Sequence, residues 1–129
     1  MLEVVNTTQT TLTAGANIPV GAVRLKTNND AGLNGNIQIQ KAGVYEVSAS
    51  FVFTATAAGD ITAQMQVNGS DVPGALATVT ATAGATVTLP VSATVQARQG
   101  APGATIPITW TINAAGTLQS AVASVKRVI

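Results

Sequence analysis

The chain has 129 residues, of which 47% are hydrophobic, 9% charged and 3% aromatic, with a formal net charge of +1 and neither histidine nor cysteine. That length makes one domain, and the missing cysteines exclude a disulfide framework and any thiolate metal site. Six basic and five acidic residues lie scattered, with Lys126-Arg127 the one adjacent pair, which excludes the clustered basic stripe of a nucleic-acid binder and the polybasic patch of a membrane-surface protein.

An average soluble domain carries about 25% charged residues. Here the exterior must instead be largely Thr, Ala, Ser, Asn, Gln and Gly, and a weakly charged, near-neutral exterior invites association. Met1-Leu2-Glu3-Val4-Val5-Asn6 has no basic leader followed by an apolar run, so no secretory signal is expected. No apolar run approaches the ~20 residues of a membrane helix.

The expected organisation is a single domain over 1–129, with 1–8 as an extended N-terminal arm. Thr7-Thr8-Gln9-Thr10-Thr11-Leu12-Thr13 is rich in β-branched residues and reads as a short extended element ended by Ala14-Gly15-Ala16-Asn17. Ile18-Pro19-Val20 stays extended because proline holds itself and its neighbour away from helix. Val23-Arg24-Leu25-Lys26 alternates, Asn28 to Asn36 reads as a loop from its Asn, Gly and Asp content, and Ile37-Gln38-Ile39-Gln40 alternates again.

The most informative stretch follows. Ala42-Gly43 opens a run in which Tyr45, Val47, Ala49, Phe51 and Phe53 point one way and Val44, Glu46, Ser48, Ser50 and Val52 the other. Such long period-two alternation marks a strand with one face in a core. The inward set holds three of the four aromatics. The outward set holds small and aliphatic residues with one carboxylate, which suits contact with another protein.

After a turn at Ala57-Ala58-Gly59-Asp60, the residues Ile61, Ala63, Met65 and Val67 alternate with polar ones, and Asn68-Gly69 is a type I′ hairpin signal. Pro73-Gly74 interrupts the next strand, which resumes at Ala75, and Gly84 marks another turn. Val87 to Arg98 alternates around Pro90, which predicts a sheet edge or a bulge there. Gln99 to Gly103 is a loop, and Ile106, Ile108, Trp110 and Ile112 share one face of a further strand. From Leu118 to Ile129 both faces are apolar, the pattern of a strand covered on both sides. No segment has helical periodicity and no fixed repeat emerges, so the fold class is all-β, an antiparallel sandwich or jelly roll.

Four stretches carry a family resemblance: Thr10 to Ile18, Ala42-Gly43-Val44-Tyr45 with its long alternation, Met65-Gln66-Val67-Asn68-Gly69, and Ala123 to Ile129. In their order and spacing the chain resembles the C1q/TNF-like trimeric jelly rolls, in the form used by head-fibre and capsid-decoration proteins of tailed bacteriophages, with fewer aromatics and no collagen stalk. The resemblance implies a homotrimer in which one sheet of each subunit faces the threefold axis. It also implies a phage capsid or other virion protein as partner and a place on the virion surface after assembly in the host cytoplasm. On this reading Val44, Ser48, Ser50, Val52 and Val122 are the candidate trimer-interface residues. A receptor- or glycan-recognising tip with its pocket in the loops at Asn28–Asn36 or Gln99–Gly103, and a bacterial surface or spore-coat trimer, stay open on the same fold.

Chemistry-bearing patterns are scarce. Asp30, Glu46, Asp60 and Asp71 are dispersed, whereas acid–base catalysis needs paired groups with tuned pKa values, so no catalytic residue, metal or cofactor is expected. Asn28-Asn29-Asp30 with Asn34 and Asn36 offers oxygen ligands for Ca2+ but lacks spaced carboxylates and a closing glutamate, and reads as a polar loop. The lone Trp110 reads as core or interface packing. Gly100 to Thr105 mimics two collagen triplets without the long repeat a triple helix needs. Asn6-Thr7-Thr8 and Asn68-Gly69-Ser70 match glycosylation acceptors by chance.

Overall fold

The computed structural model describes residues 1–27, 30–97 and 105–128, Asn34 by its backbone alone. Its strands are β1 (Leu2–Asn6), β2 (Thr10–Leu12), β3 (Ala22–Lys26), β4 (Ala31–Asn34), β5 (Asn36–Ile39), β6 (Gly43–Ala55), β7 (Gly59–Val67), β8 (Ser70–Ala81), β9 (Thr86–Ala97), β10 (Ile106–Ile112) and β11 (Gly116–Arg127). They form two antiparallel sheets, one ordered β3-β1-β11-β6-β9 with β2 also on β11, the other β4-β5-β10-β7-β8. No helix occurs among the described residues.

β6 is the expected long strand, and it lies in the larger sheet between β11 and the edge strand β9. It pairs with β9 in unbroken register from Gly43↔Ala97 to Thr54↔Thr86, and with β11 from Arg127↔Tyr45 to Gly116↔Ala55. Tyr45, Val47, Ala49, Phe51 and Phe53 are all buried, as their alternation requires. From the facing sheet Trp110 meets Phe51 edge to face, with centroids 5.8 Å apart and planes at 64°, the arrangement the ring quadrupoles favour. Ile61, Met65, Ile108 and Ile112 complete this buried layer. Trp110 is fully buried, and its Nε1–H has no hydrogen-bond partner among the described residues. That unmet donor costs about 1–3 kcal/mol, offset by the indole's large buried area.

Local chemistry fixes the turns. Asn68 (φ 53°) and Gly69 (φ 83°) both take the left-handed backbone of the type I′ hairpin joining β7 to β8. At Pro73-Gly74 the strand bulges rather than ends: the pairing shifts between Gln64 and Gln66, and the Gln64 amide donates to the carbonyls of Met65, Val72 and Ala75. Gly116 has no substitute, because a β-carbon there would collide with the Thr54 carbonyl and the Phe53 ring.

Three expectations need correction. Residues 1–8 are extended but not a free arm. Leu2–Asn6 pairs with both β11 and β3, with Leu2 and Val4 buried, because its short apolar alternation completes the core once β11 lies alongside. The stretch Asn28–Asn36 is not a plain loop. Ala31↔Ile39 and Leu33↔Ile37 pair in a hairpin turning at Gly35 (φ 77°), where tertiary pairing overrides a polar composition; Asn28 and Asn29 lie outside the described residues. Within the subunit β11 is central and has one apolar face, packed in the core. A register shift between Leu118 and Ser120 changes the side-chain parity, so Leu118 and then Ala121, Ala123 and Val125 all point into one core. The apparent second apolar face was this change of phase, and Val122 remains 38% exposed on the outside. The expected edge position of Pro90 agrees with the terminal place of β9 in its sheet. Gln99–Gly103 and most of the collagen-like stretch lie outside the described residues.

At the end of the sandwich where β6 begins and β11 finishes, Asp30 (side chain 14% exposed) faces Lys41 Nζ at 3.7 Å and Arg127 Nη1 at 3.9 Å. Arg127 also donates to the Ala42 carbonyl, and the Tyr45 hydroxyl donates to the Lys41 carbonyl at 2.6 Å. Burial, then the Asp30 charge, push the Tyr45 hydroxyl pKa above its usual value, and Arg127 opposes them in part.

Two outcomes follow for stability. Phe51→Ala should destabilise by about 3–5 kcal/mol, the usual cost of emptying an aromatic core site, read as a lowered urea midpoint in Trp110 fluorescence. An unchanged midpoint would show that Phe51 is not in the core. Because the folded pKa of Tyr45 lies above its ordinary 10.0, the folded state binds the extra proton. This contribution is complete below pH about 10 and lost as pH rises through the folded value. Alkaline unfolding series should show stability falling in that window, with tyrosinate absorbance from this single tyrosine rising as the chain unfolds. Tyr45→Phe should flatten the fall; equal slopes for the two proteins would refute the assignment.

Candidate interaction surface

The outward positions of the larger sheet form rows whose members are fixed by register. Thr88, Val52 and Ser120 make one row, and Pro90, Ser50, Val122 and Val5 the next. Ser92, Ser48, Ser124, Glu3 and Leu25 make the third, followed by Thr94, Glu46 and Lys126. The structure thus brings Ser48, Ser50, Val52 and Val122 together on two neighbouring strands. Val44 shares their face but stands nearer the charged end, opposite Gln96 on β9. Val44, Ser50 and Val52 are half-buried, whereas Ser48 and Val122 are exposed.

The same rows contain residues that sequence reading missed: Pro90, Ser92 and Thr94 from β9, Ser120 and Ser124 from β11, and Val5 from β1. Their alternation was visible, but nothing local says which strands flank β6. Small side chains along the serine row leave two shallow grooves of about 290 and 300 Å3, one between Glu46, Ser48, Ser92 and Lys126, the other between Ser50, Pro90, Ser92 and Val122.

A second feature adjoins this face. β8 and β9, the edge strands of the two sheets on one side, are joined through Thr82–Ala85, and from Val72 to Ala97 the chain carries no charged residue. Edge strands exposed in a monomer are usually guarded by charge, especially lysine; here Pro90 is the guard in β9. The opposite edge, β3, carries Arg24 and Lys26 beside exposed Val23 and Leu25, and Arg24 pairs with Glu3 at 3.2 Å.

The outer face of the smaller sheet is different in kind. Gln66 donates to Asp71, Thr80 donates to Asp60, Thr62 and Thr78 share a hydrogen bond, and Asn113 Oδ1 accepts from the Thr62 amide. A shallow groove there is lined by Thr62, Gln64, Gln66, Asp71, Thr111 and Asn113, and several of those groups already satisfy one another. Among the described residues no group of three or more His, Cys, Asp or Glu side chains could hold a metal ion. Of the residues weighed as Ca2+ ligands, Asp30 is engaged by Lys41 and Arg127, and Asn36 accepts from Gln38.

No protein-family model and no curated protein sequence matches the chain. Solved structures do. The chain is similar to the globular domain of zebrafish complement 1qA protein, at 8% identity over 99% of this chain and 96% of that one, TM-score 0.70. It is similar to Eiger TNF from S. frugiperda at 13% identity over 99% and 91%, TM-score 0.72. It is similar to PRD1 vertex protein P5 at 14% identity over 99% and 96%, TM-score 0.71. Two antiparallel sheets in this order, superposable on those chains over nearly their whole length, give the protein the C1q/TNF-like jelly-roll fold.

Proposed function

We propose that this chain is a non-enzymatic structural protein that works by self-association: a homotrimer whose larger sheet turns its outer face toward the threefold axis and which decorates a virus particle. The observation behind it is the weakly charged face of Val44, Ser48, Ser50, Val52 and Val122, continuous with a charge-free side of the sandwich from Val72 to Ala97. Left in water, that side would be an edge with no charge to guard it, beside exposed aliphatic groups. Covered by another copy, it gains about 25 cal/mol per Å2 of apolar surface, against the entropy of association. Serines on the middle rows suit close approach of backbones, and Val122 supplies apolar contact.

The setting rests on kinship of fold. One structural neighbour is named as a vertex protein, PRD1 P5, and the sequence resembles phage head-fibre and capsid-decoration jelly rolls. The partner is then a capsid or other virion protein, and the place is the virion surface. The tip reading places its pocket in the loops at Asn28–Asn36 or Gln99–Gly103, of which Asn28, Asn29 and the whole of 99–103 lie outside the described residues.

Light scattering at micromolar concentration should return three times the 12.9 kDa chain mass; a monomer would sink the assembly. Val122→Asp places a charge on the outward face without touching the core, and should weaken association on the order of a hundredfold while leaving the subunit fold, read by circular dichroism, unchanged. An electron-microscopy map of an intact particle decides the setting: density for this jelly roll on the capsid exterior supports it, and its absence from the purified particle ends it.

A further inference from the structure

Along the outward positions of β6, β9 and β11, two side chains are charged, Glu46 and Lys126, and they stand directly opposite each other in register beside Thr94. Cross-strand neighbours of opposite sign ordinarily lie within reach of one another. Here they make neither an ion pair nor a hydrogen bond among the described residues, and instead flank a groove of about 290 Å3 with Met1, Ser48, Ser92 and Ser124. Of the other charged groups near this end, Glu3 pairs with Arg24, Asp30 with Lys41 and Arg127, and the Met1 ammonium donates to Thr27 Oγ1.

In water, leaving the two apart costs little, because an exposed pair contributes only about 0–1 kcal/mol. Covering the face changes that, since a charge buried without a partner is strongly unfavourable. Each copy brings one side-chain carboxylate and one side-chain ammonium to the same row, so in a closed ring of identical copies these side-chain charges match one for one whatever its number.

We infer that Glu46 of one copy pairs with Lys126 of the next, making this row the charged lock that aligns the copies. The inference rests on the self-association proposed above. Both charges lie at the end where β6 begins and β11 finishes, while the far end of the face carries Thr54, Thr86, Thr88 and Ser120. Copies packed with the same ends together satisfy every charge. Copies packed head to tail would set both charges against hydroxyl and aliphatic groups, a penalty that selects the parallel arrangement. The partner that fits this patch is a second copy of the chain.

The test is charge reversal with mixing, followed by sedimentation. Glu46→Lys and Lys126→Glu should each weaken association about a hundredfold, and the double exchange, carrying both substitutions in one chain, should restore it to within about tenfold of the original. Mixing the two single variants should recover part of the assembly, because in a mixed ring of three two of the three contacts then join an ammonium to a carboxylate, whereas a ring of either variant alone sets like charges together at all three. If the original chain is monomeric, the self-association reading falls and this inference with it. If it assembles and the reversals change nothing, the lock alone is overturned. If the reversals weaken assembly but mixing recovers nothing, the pair acts within one copy, and the inference is again overturned.

Discussion

The pairing of β6 with β9 and β11 is the constraint on which the rest of the structure depends. In a two-faced sheet, a slip by one residue exchanges the buried set for the exposed set. Along β6 that exchange would put Glu46, Ser48 and Ser50 against Trp110 and carry Tyr45, Phe51 and Phe53 into water. The core therefore fixes the register, and the register fixes the outer face. Val122 comes to stand beside Ser50, and Lys126 beside Glu46, because Tyr45 and Phe51 must be inside.

That dependence explains how two dissimilar surfaces arise on one small sandwich. The smaller sheet turns out Thr, Gln, Asn and Asp side chains that hydrogen-bond one another across strands, a surface adapted to water. On the larger sheet, β6, β9 and β11 turn out Ser, Val, Pro and Thr with two charges, Glu46 and Lys126. The ends differ as well. Ion pairs gather where β6 begins, whereas the turns at the other end, Ala14-Gly15-Ala16, Ala83-Gly84-Ala85 and Ala114-Ala115, are small and neutral and are tied to the strand ends by backbone hydrogen bonds. A subunit with one neutral face and one charged end has a built-in direction, the property an oriented assembly needs.

Irregularities account for most of what a linear reading misses. The shift at Gln119 makes β11 look apolar on both faces when its core side has only changed phase. The bulge at Pro73-Gly74 looks like a strand end because the Gln64 amide that satisfies its carbonyls lies on another strand. The hairpin of β4 and β5 hides among asparagines and glycines, since its stabilisation comes from placing Ala31, Ile37 and Ile39 in the core rather than from its own propensities. In each case the deciding partner is distant along the chain.

By itself the sequence determined the all-β class, the inward and outward sets of β6, the Asn68-Gly69 hairpin, the restriction of Pro90 to a sheet edge or a bulge, and the poverty of charge. These follow from alternation, backbone φ preferences and the missing amide of proline, all of them local. Only the tertiary structure decided that β9 and β11 flank β6, that Leu2–Asn6 is an interior strand, and that Pro90, Ser92, Ser124 and Lys126 complete the face begun by Ser48 and Ser50. Strand order is settled by which apolar faces close one common core, and that is a property of the whole chain.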